Sequence, residues 1–216
     1  MTPSPKSGGS GKRDKKLEQY RKELSRKKSN RRAGIIGAVA GVLVVGGLIA
    51  FIVVNAPPQV SYDAGGTGAE IDGVETFENE PLHVETPVTY PQTPPAGGEH
   101  SATWLNCGVY SEPVPNENAV HALEHGAVWA TYDPAQIEGD EVDTLRALLP
   151  DTHSILSPYE GMDTPIALSG WNVQLKVDSV DDERITEFFE EYWLSQNVPE
   201  PGAACTGAID GPGKVN

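Results

Sequence analysis

A chain of 216 residues is long enough to bury one substantial hydrophobic core. Its formal net charge of −15 is unevenly distributed: residues 1–32 contain 12 Lys/Arg and 3 Asp/Glu, whereas residues 33–216 contain 4 Lys/Arg and 28 Asp/Glu. The acidic residues are scattered without an Asp-x-Asp-x-Asp spacing, which argues against a dedicated calcium loop and indicates an acidic, solubilising surface. Nor does the sequence contain a phosphate-binding loop, a dinucleotide fingerprint or a Gly-x-Ser-x-Gly elbow.

Residues 33–54 contain no charged residue and, at ~1.5 Å per residue, can cross a hydrocarbon core of about 30 Å as a helix. Because the basic residues 1–32 precede this stretch, the positive-inside rule predicts a cytoplasmic N-terminus and an extracytoplasmic C-terminal part. Pro57 disfavours cleavage at the preceding Ala56, so we expect an uncleaved single-pass anchor in the cell membrane. Gly37 and Gly41 have the Gly-x-x-x-Gly spacing that lets two such helices pack as a homodimer.

The basic segment, residues 1–32, has two interpretations. Leu17, Tyr20 and Leu24 give it an apolar stripe which, together with its positive charge, suits the anionic inner leaflet. Alternatively, it is a solvated topology signal with no partner. Its position beside the membrane accounts for its charge without a nucleic acid as partner.

Beyond the predicted span, composition divides the chain into three parts. Pro and Gly without periodicity predict a linker over residues 55–70. Strand and helix patterns mix without βαβ alternation over residues 71–198, which predicts a small α+β domain with a mixed or antiparallel sheet and two or three helices. Residues 199–216 form a Gly/Pro-rich tail. The strand candidates are 104–110, 128–132, 155–156, 166–168 and 173–177, the last with one exposed face, and the helix candidates are 140–149 and 181–195.

Cys107 and Cys205 would face an oxidising space in this topology and are predicted to form a disulfide. The bridge would close a loop of about a hundred residues, contribute on the order of 4 kcal/mol in the chain-entropy model, and pin the tail. The alternative is that Cys107 is a thiolate ligand for a metal.

The segment His121-Ala-Leu-Glu124-His125-Gly126 carries the clearest sign of chemistry. Residues four apart lie on one face of a helix, so His121 and His125 can face a single metal ion with Glu124 beside them. Gly126 predicts the helix end, in the left-handed conformation. The alternative is structural: both imidazoles hydrogen-bond backbone groups at this turn, and Glu124 makes a capping or salt-bridge contact.

Four groups of residues form a recognisable combination over about residues 90–171: Pro94-Pro95-Ala-Gly-Gly98-Glu-His100, Gly108-Val-Tyr110, His121 to Val128 with Tyr132, and Pro165-Ile-Ala-Leu168 with Trp171. Together they resemble a bacterial family known as domain of unknown function 3105, which implies a membrane-anchored extracytoplasmic domain. Gly97 departs from the family pattern, which has a Ser at this place. The resemblance implies no particular reaction, so the chemistry has to be inferred from the side chains.

His100 lies in a Gly-rich turn and Met162 in a loop rather than in an apolar run, so both are candidate ligands. Imidazoles combined with a thioether favour copper over harder ions. The predicted site is therefore copper held by His100, His121, His125 and Met162. The alternative is zinc held by His121 and His125 with either Glu124 or His100. The implied role is copper sensing, sequestration or delivery to an exported cuproprotein.

Two other functions stay open. His-x-x-Glu-His is also the inverted zinc-protease signature, in which Glu124 would activate water and a downstream carboxylate would complete the zinc site, with Glu187, Glu190 and Glu191 as candidates. The early helix end at Gly126 and the small size of the domain favour a non-enzymatic role over this hydrolase. The other alternative is a non-metal adaptor in envelope assembly.

Overall fold

The computed structural model describes residues 15–28, 41–47 and 60–215. They belong to two compact units, Met1–Pro57 and Pro58–Asn216. In the first unit, residues 15–28 and 41–47 are helical and exposed. Within the described ranges, no helix has both the length and the apolar character needed to cross a membrane. Most of the predicted span 33–54, including Gly37, lies outside the described residues.

The second unit contains a seven-stranded mixed sheet. The strands are β1 (Glu75–Thr76), β2 (Gly108–Tyr110), β3 (Val128–Tyr132), β4 (Ser154–Pro158), β5 (Ile166–Gly170), β6 (Val173–Val177) and β7 (Lys214–Val215). Their order in the sheet is β1-β6-β5-β3-β4-β2-β7. Strands β3/β4 and β2/β4 are parallel, and the other neighbours are antiparallel. The helices of this unit are α1 (Asn116–Glu124), α2 (Asp140–Ala147) and α3 (Arg184–Tyr192). The prediction of a mixed α+β fold is confirmed.

The hydrophobic core lies on both faces of this sheet. One apolar cluster packs α2 and α3 against the face that carries Val128 and Ala130. The other packs α1 against the face that carries Trp129 and Ile155. Successive side chains of a strand point to opposite faces, so Trp129 contacts the α1 layer while its two neighbours contact the other helices. This packing fixes α1, which carries the central His-x-x-Glu-His segment, on one face of the sheet.

On the face of β6 that its alternating pattern predicts to be exposed, Gln174 is covered, whereas the Lys176 side chain is 32% exposed. Gln174 is buried, and its amide nitrogen donates to the carbonyl oxygen of Pro94 at 2.8 Å and to Ser169 Oγ at 2.9 Å. The Pro-rich segment before the Gly-rich turn therefore lies over this part of the sheet. A local strand pattern cannot reveal a cover that comes from a distant loop.

Cys107 and Cys205 form the predicted disulfide, with Cα atoms 5.3 Å apart across a separation of 98 residues. The Cys107 N–H also donates to the Cys205 carbonyl at 2.7 Å. Cys107 is therefore not a free thiolate. Beyond the bridge, the tail continues into β7, where Val215 pairs with Val109 of β2, so the residues before and after Cys205 pack onto the domain.

Candidate metal centre

Helix α1 presents His121 and Glu124 near its C-terminal end, and His125 follows as its C-cap residue. All three side chains are buried. Gly126 has φ +91°, the left-handed conformation predicted for the helix end. A Cβ at Gly126 would stand 3.2 Å from the Leu194 Cα, because the chain after α3 passes close to this turn and the Leu194 N–H donates to the Gly126 carbonyl.

His83 and His100 reach the same place from a pair of extended segments. The two residues form an isolated parallel bridge, in which the Val84 N–H donates to the His100 carbonyl and the His100 N–H to the Leu82 carbonyl. The bridge sets the two imidazoles side by side, with ring centroids 4.8 Å apart. His100 is fully buried, whereas the His83 side chain is 45% exposed.

The chain that leads to Cys205 closes the other side of the cluster. The Glu200 N–H donates to the Glu124 carbonyl, and the Gly202 N–H donates to the His125 carbonyl. These bonds bring Glu200 Oε2 to 3.3 Å from His125 Nε2. Because the disulfide anchors this segment, Glu200 and the backbone that follows it are held against the end of α1.

Three of the imidazoles share one hydrogen-bonding pattern at Nδ1. His100 Nδ1 lies 2.7 Å from the Gly98 carbonyl, His121 Nδ1 lies 2.7 Å from the Ser101 carbonyl, and His125 Nδ1 lies 2.7 Å from the Ala204 carbonyl. A carbonyl oxygen only accepts, so each Nδ1 carries a hydrogen and donates it. In a neutral ring Nε2 then holds the free lone pair, which is the state of a metal-binding histidine fixed by its backbone partner.

The Nε2 atoms meet groups that also offer lone pairs. His121 Nε2 and His125 Nε2 are 3.0 Å apart, and His100 Nε2 is 2.9 Å from Glu124 Oε2. His83 Nε2 is 3.6 Å from the same carboxylate oxygen. Facing lone pairs repel unless a proton or a metal ion lies between them. A positive charge at the centre of the cluster, either a proton or a metal ion, would therefore relieve this repulsion.

Burial of the imidazoles favours a metal ion over a proton as this positive charge. Desolvation lowers the pKa of His121 below its usual 6.5, and the neighbouring His125 and His100 lower it further, against the raising effects of the Ser101 carbonyl and of Glu124. No Lys or Arg in the described part of the chain forms a salt bridge with Glu124, whose partners are His83 and His100. One divalent ion would balance the carboxylate and accept several lone pairs without protonating a buried ring.

The atoms that could bind a metal ion fall into two groups, and the members of each lie within 4.8 Å of one another: His83, His100, His121 and Glu124 in the first, and His121, His125 and Glu200 in the second. His121 belongs to both. Of the predicted ligands, the structure therefore brings His100, His121 and Glu124 together in one group, whereas His125 lies in the second group and shares only His121 with the first.

Met162 lies apart from these groups. It is buried, and its thioether lies 3.5 Å from Thr131 Oγ1 in strand β3. Thr131 lies near the C-terminal end of β3, and Met162 follows the C-terminal end of β4, which runs parallel to β3. His125 lies just before the N-terminal end of β3, so the thioether is at the opposite end of these strands. Among the predicted carboxylate ligands on α3, Glu191 instead accepts from the backbone N–H groups of Thr67 and Gly68.

Sequence reasoning missed His83, Glu200 and Trp104 as parts of the site. The centroid of the Trp104 ring lies 5.3 Å from that of His125 and 5.8 Å from that of His121, and its buried indole N–H has no hydrogen-bond partner among the described residues. All three come from irregular segments, where no periodicity indicates direction. The one available signal for Glu200 was its nearness in sequence to Cys205, which the disulfide was expected to pin.

One family model, described as protein of unknown function (DUF3105), matches residues 83–207. The matched range begins at His83 and includes every residue of the two ligand groups. The comparison with curated proteins found no match, and neither did the comparison with solved structures.

Proposed function

The chain belongs to the family described as protein of unknown function (DUF3105), and we propose that its side chains bind one divalent transition-metal ion and that the protein functions in metal handling. His83, His100 and His121 supply Nε2 atoms to this ion, and Glu124 supplies its carboxylate. His125 and Glu200 adjoin it through His121. Four ligands of these types complete the first coordination shell of a zinc or copper ion.

The observation that carries the proposal is the orientation of the imidazoles. Three Nδ1–H groups are tied to backbone carbonyls at 2.7 Å, and the opposite nitrogens converge on one another and on a buried carboxylate. A buried structural histidine would instead pair its second nitrogen with a hydrogen-bond donor. Converging Nε2 lone pairs cost free energy in a buried site unless a cation occupies the space between them.

Copper(II) is the ion we propose, with zinc as its competitor. The thioether of Met162 lies elsewhere and both cysteines are in the disulfide, so the donor set consists of imidazole nitrogens and carboxylate oxygens. Such donors suit divalent copper and zinc, and copper(II) stands highest in the divalent affinity order. The role that fits an exported domain of this kind is sequestration of the ion or its delivery to an exported cuproprotein.

The cellular position belongs to the same proposal. Residues 33–54 are uncharged and follow twelve basic residues, which supports a single-pass anchor with a cytoplasmic N-terminus and an extracytoplasmic domain. The disulfide supports an oxidising location for the domain. Fusing topology reporters before residue 33 and after residue 215 tests this arrangement, which requires opposite locations for the two reporters.

The metal proposal is tested by equilibrating the purified full chain with copper(II) and zinc, dialysing it, and measuring bound metals by mass spectrometry. We expect about one ion per wild-type chain and loss of the tightly bound ion in His121→Ala. His153→Asn is the matched control, because His153 donates to Ala203 outside both groups and its positive φ suits Asn. Near-zero metal in wild type and control would leave the non-metal adaptor as the interpretation.

A second candidate function has one specific observation in its favour. His121, His125 and Glu200 form a two-histidine, one-carboxylate set, the donor set of several zinc peptidases, and Glu124 precedes His125 as the water-activating residue does in the inverted motif. The discriminating variant is Glu124→Gln. A hydrolase would retain zinc at wild-type affinity and lose peptide hydrolysis, whereas the metal-handling proposal requires weaker metal binding.

A further inference from the structure

His121 is shared by two ligand groups that differ in how completely they can surround an ion. The first group offers four ligands, His83, His100, His121 and Glu124, and the second offers three, His121, His125 and Glu200. Four protein ligands close the coordination sphere of a tetrahedral ion, whereas three leave one place open to water or to an incoming ligand. The two groups therefore define a closed position and an open position.

One ion can use His121 in only one of these positions at a time. Its Nδ1 donates to the Ser101 carbonyl, so Nε2 is its single free ligand atom. His121 Nε2 is 3.0 Å from His125 Nε2. A single metal ion bound to both nitrogens would hold them about this far apart. An ion held by His121 can thus exchange its remaining ligands from one group to the other without leaving the protein.

The open position also contains the carboxylate best placed to meet an exchange partner. The Glu200 side chain is 51% exposed, whereas that of His125 is 3% exposed. Glu200 comes from the segment that the disulfide holds, and its own backbone N–H is fixed on the Glu124 carbonyl. Its carboxylate is therefore positioned by the fold while still accessible to solvent.

From this geometry we propose that the metal ion moves between a closed holding position at His83, His100, His121 and Glu124 and an open exchange position at His121, His125 and Glu200. The ion enters and leaves through the open position, where a partner offering an imidazole, thiolate or carboxylate fills the vacant place. The inference rests on the proposed metal binding and adds the route of transfer. It makes Glu200 a determinant of rate and Glu124 a determinant of affinity.

The test uses zinc, which is redox-inert, and the full chain loaded with one equivalent. Transfer to an excess of a chromogenic chelator is followed by stopped-flow absorbance, and equilibrium affinity is measured by chelator competition. In Glu200→Gln we expect transfer about ten-fold slower in both directions, with the equilibrium affinity unchanged. In Glu124→Gln we expect lower affinity and faster release. Glu138→Gln, at an exposed position outside both groups, is the control and should match wild type.

The outcomes separate this inference from the function on which it rests. If wild type binds zinc and Glu200→Gln transfers it at the wild-type rate, the exchange position is refuted while metal binding stands. If Glu200→Gln lowers the equilibrium affinity as much as Glu124→Gln does, both carboxylates hold the resting ion and there is a single merged site. If wild type binds no zinc, this inference fails, and the proposed function fails with it when copper(II) is not bound either.

Discussion

Replacing Glu124 by Gln tests the carboxylate that lies buried among the imidazoles. Glu124 is 3% exposed, its Oε2 lies 2.9 Å from His100 Nε2 and 3.6 Å from His83 Nε2. Gln has nearly the same shape but no charge. In the metal-free chain, the substitution removes a buried anion whose partners are imidazoles, so folding stability should be unchanged or slightly increased.

In the metal-bound chain the same substitution removes an anionic ligand. A charge-assisted contact of this kind contributes about 1.5–3 kcal/mol, and each 1.4 kcal/mol corresponds to about ten-fold in affinity. We therefore expect metal affinity to fall about ten- to hundred-fold. At a free metal concentration of about 100 times the wild-type Kd, binding stabilises the wild-type fold by about 2.7 kcal/mol, which raises Tm by about 5–10 °C for a domain of this size.

The assay is thermal unfolding of wild type, Glu124→Gln and the control Glu138→Gln, each with zinc and with a chelator. We expect zinc to raise Tm in wild type and control, and half or more of this rise to disappear in Glu124→Gln while the metal-free Tm stays near the wild-type value. An equal zinc-induced rise in all three proteins would refute the assignment of Glu124 as a ligand. A large loss of metal-free Tm would instead indicate a structural role in the hydrogen bond to His100.

Three further predictions concern the scaffold of the site. Gly126→Ala should destabilise the fold by at least about 1–2 kcal/mol, because φ is +91° and the new Cβ meets Leu194. Gly161 also has a positive φ but open space around it, so Gly161→Ala measures the effect of backbone conformation without the contact. Equal losses of Tm in the two variants would show that the contact with Leu194 contributes nothing. Replacing Cys107 and Cys205 together by Ser should cost on the order of 4 kcal/mol in denaturant unfolding and also slow zinc transfer to a chelator, since the bridge holds the Ala204 carbonyl that orients His125 of the exchange position; transfer at the wild-type rate in this variant would contradict that coupling. Finally, burial lowers the pKa of His121 in the folded chain below its usual 6.5. As the pH falls, the imidazole of His121 therefore takes up a proton in the unfolded chain before it does in the folded chain, so the metal-free stability should decline as the pH falls below 6.5. Comparing melts at neutral and mildly acidic pH checks this, and an equal decline in His121→Gln would assign the effect to other groups.

The local parts of the site were predictable because they depend on regular geometry. The i, i+4 spacing of His121 and His125 and the positive φ of Gly126 follow from helix periodicity and from the conformational freedom of glycine. Strands β3 and β6 were placed at their observed bounds from apolar patterning alone. The disulfide followed from cysteine count and the predicted location.

The long-range parts of the site were not predictable in the same way. His83 joins the cluster through an isolated bridge with His100, and Glu200 joins it through backbone bonds to the end of α1. Both depend on which irregular segments pack together, a property that periodicity does not encode. Met162 was proposed as a ligand because it lies in a loop, yet its thioether packs against Thr131, so position outside an apolar run was a poor guide to coordination.

If His83, His100, His121 and Glu124 hold one metal ion, its ligand shell contains nitrogen and oxygen but no sulfur. X-ray absorption spectroscopy of the full chain loaded with one equivalent of copper(II) or zinc measures this coordination directly. We expect a shell of nitrogen and oxygen atoms at about 2.0–2.1 Å with imidazole scattering beyond it. A shell at the sulfur distance of about 2.3 Å, or the absence of imidazole scattering, would contradict it.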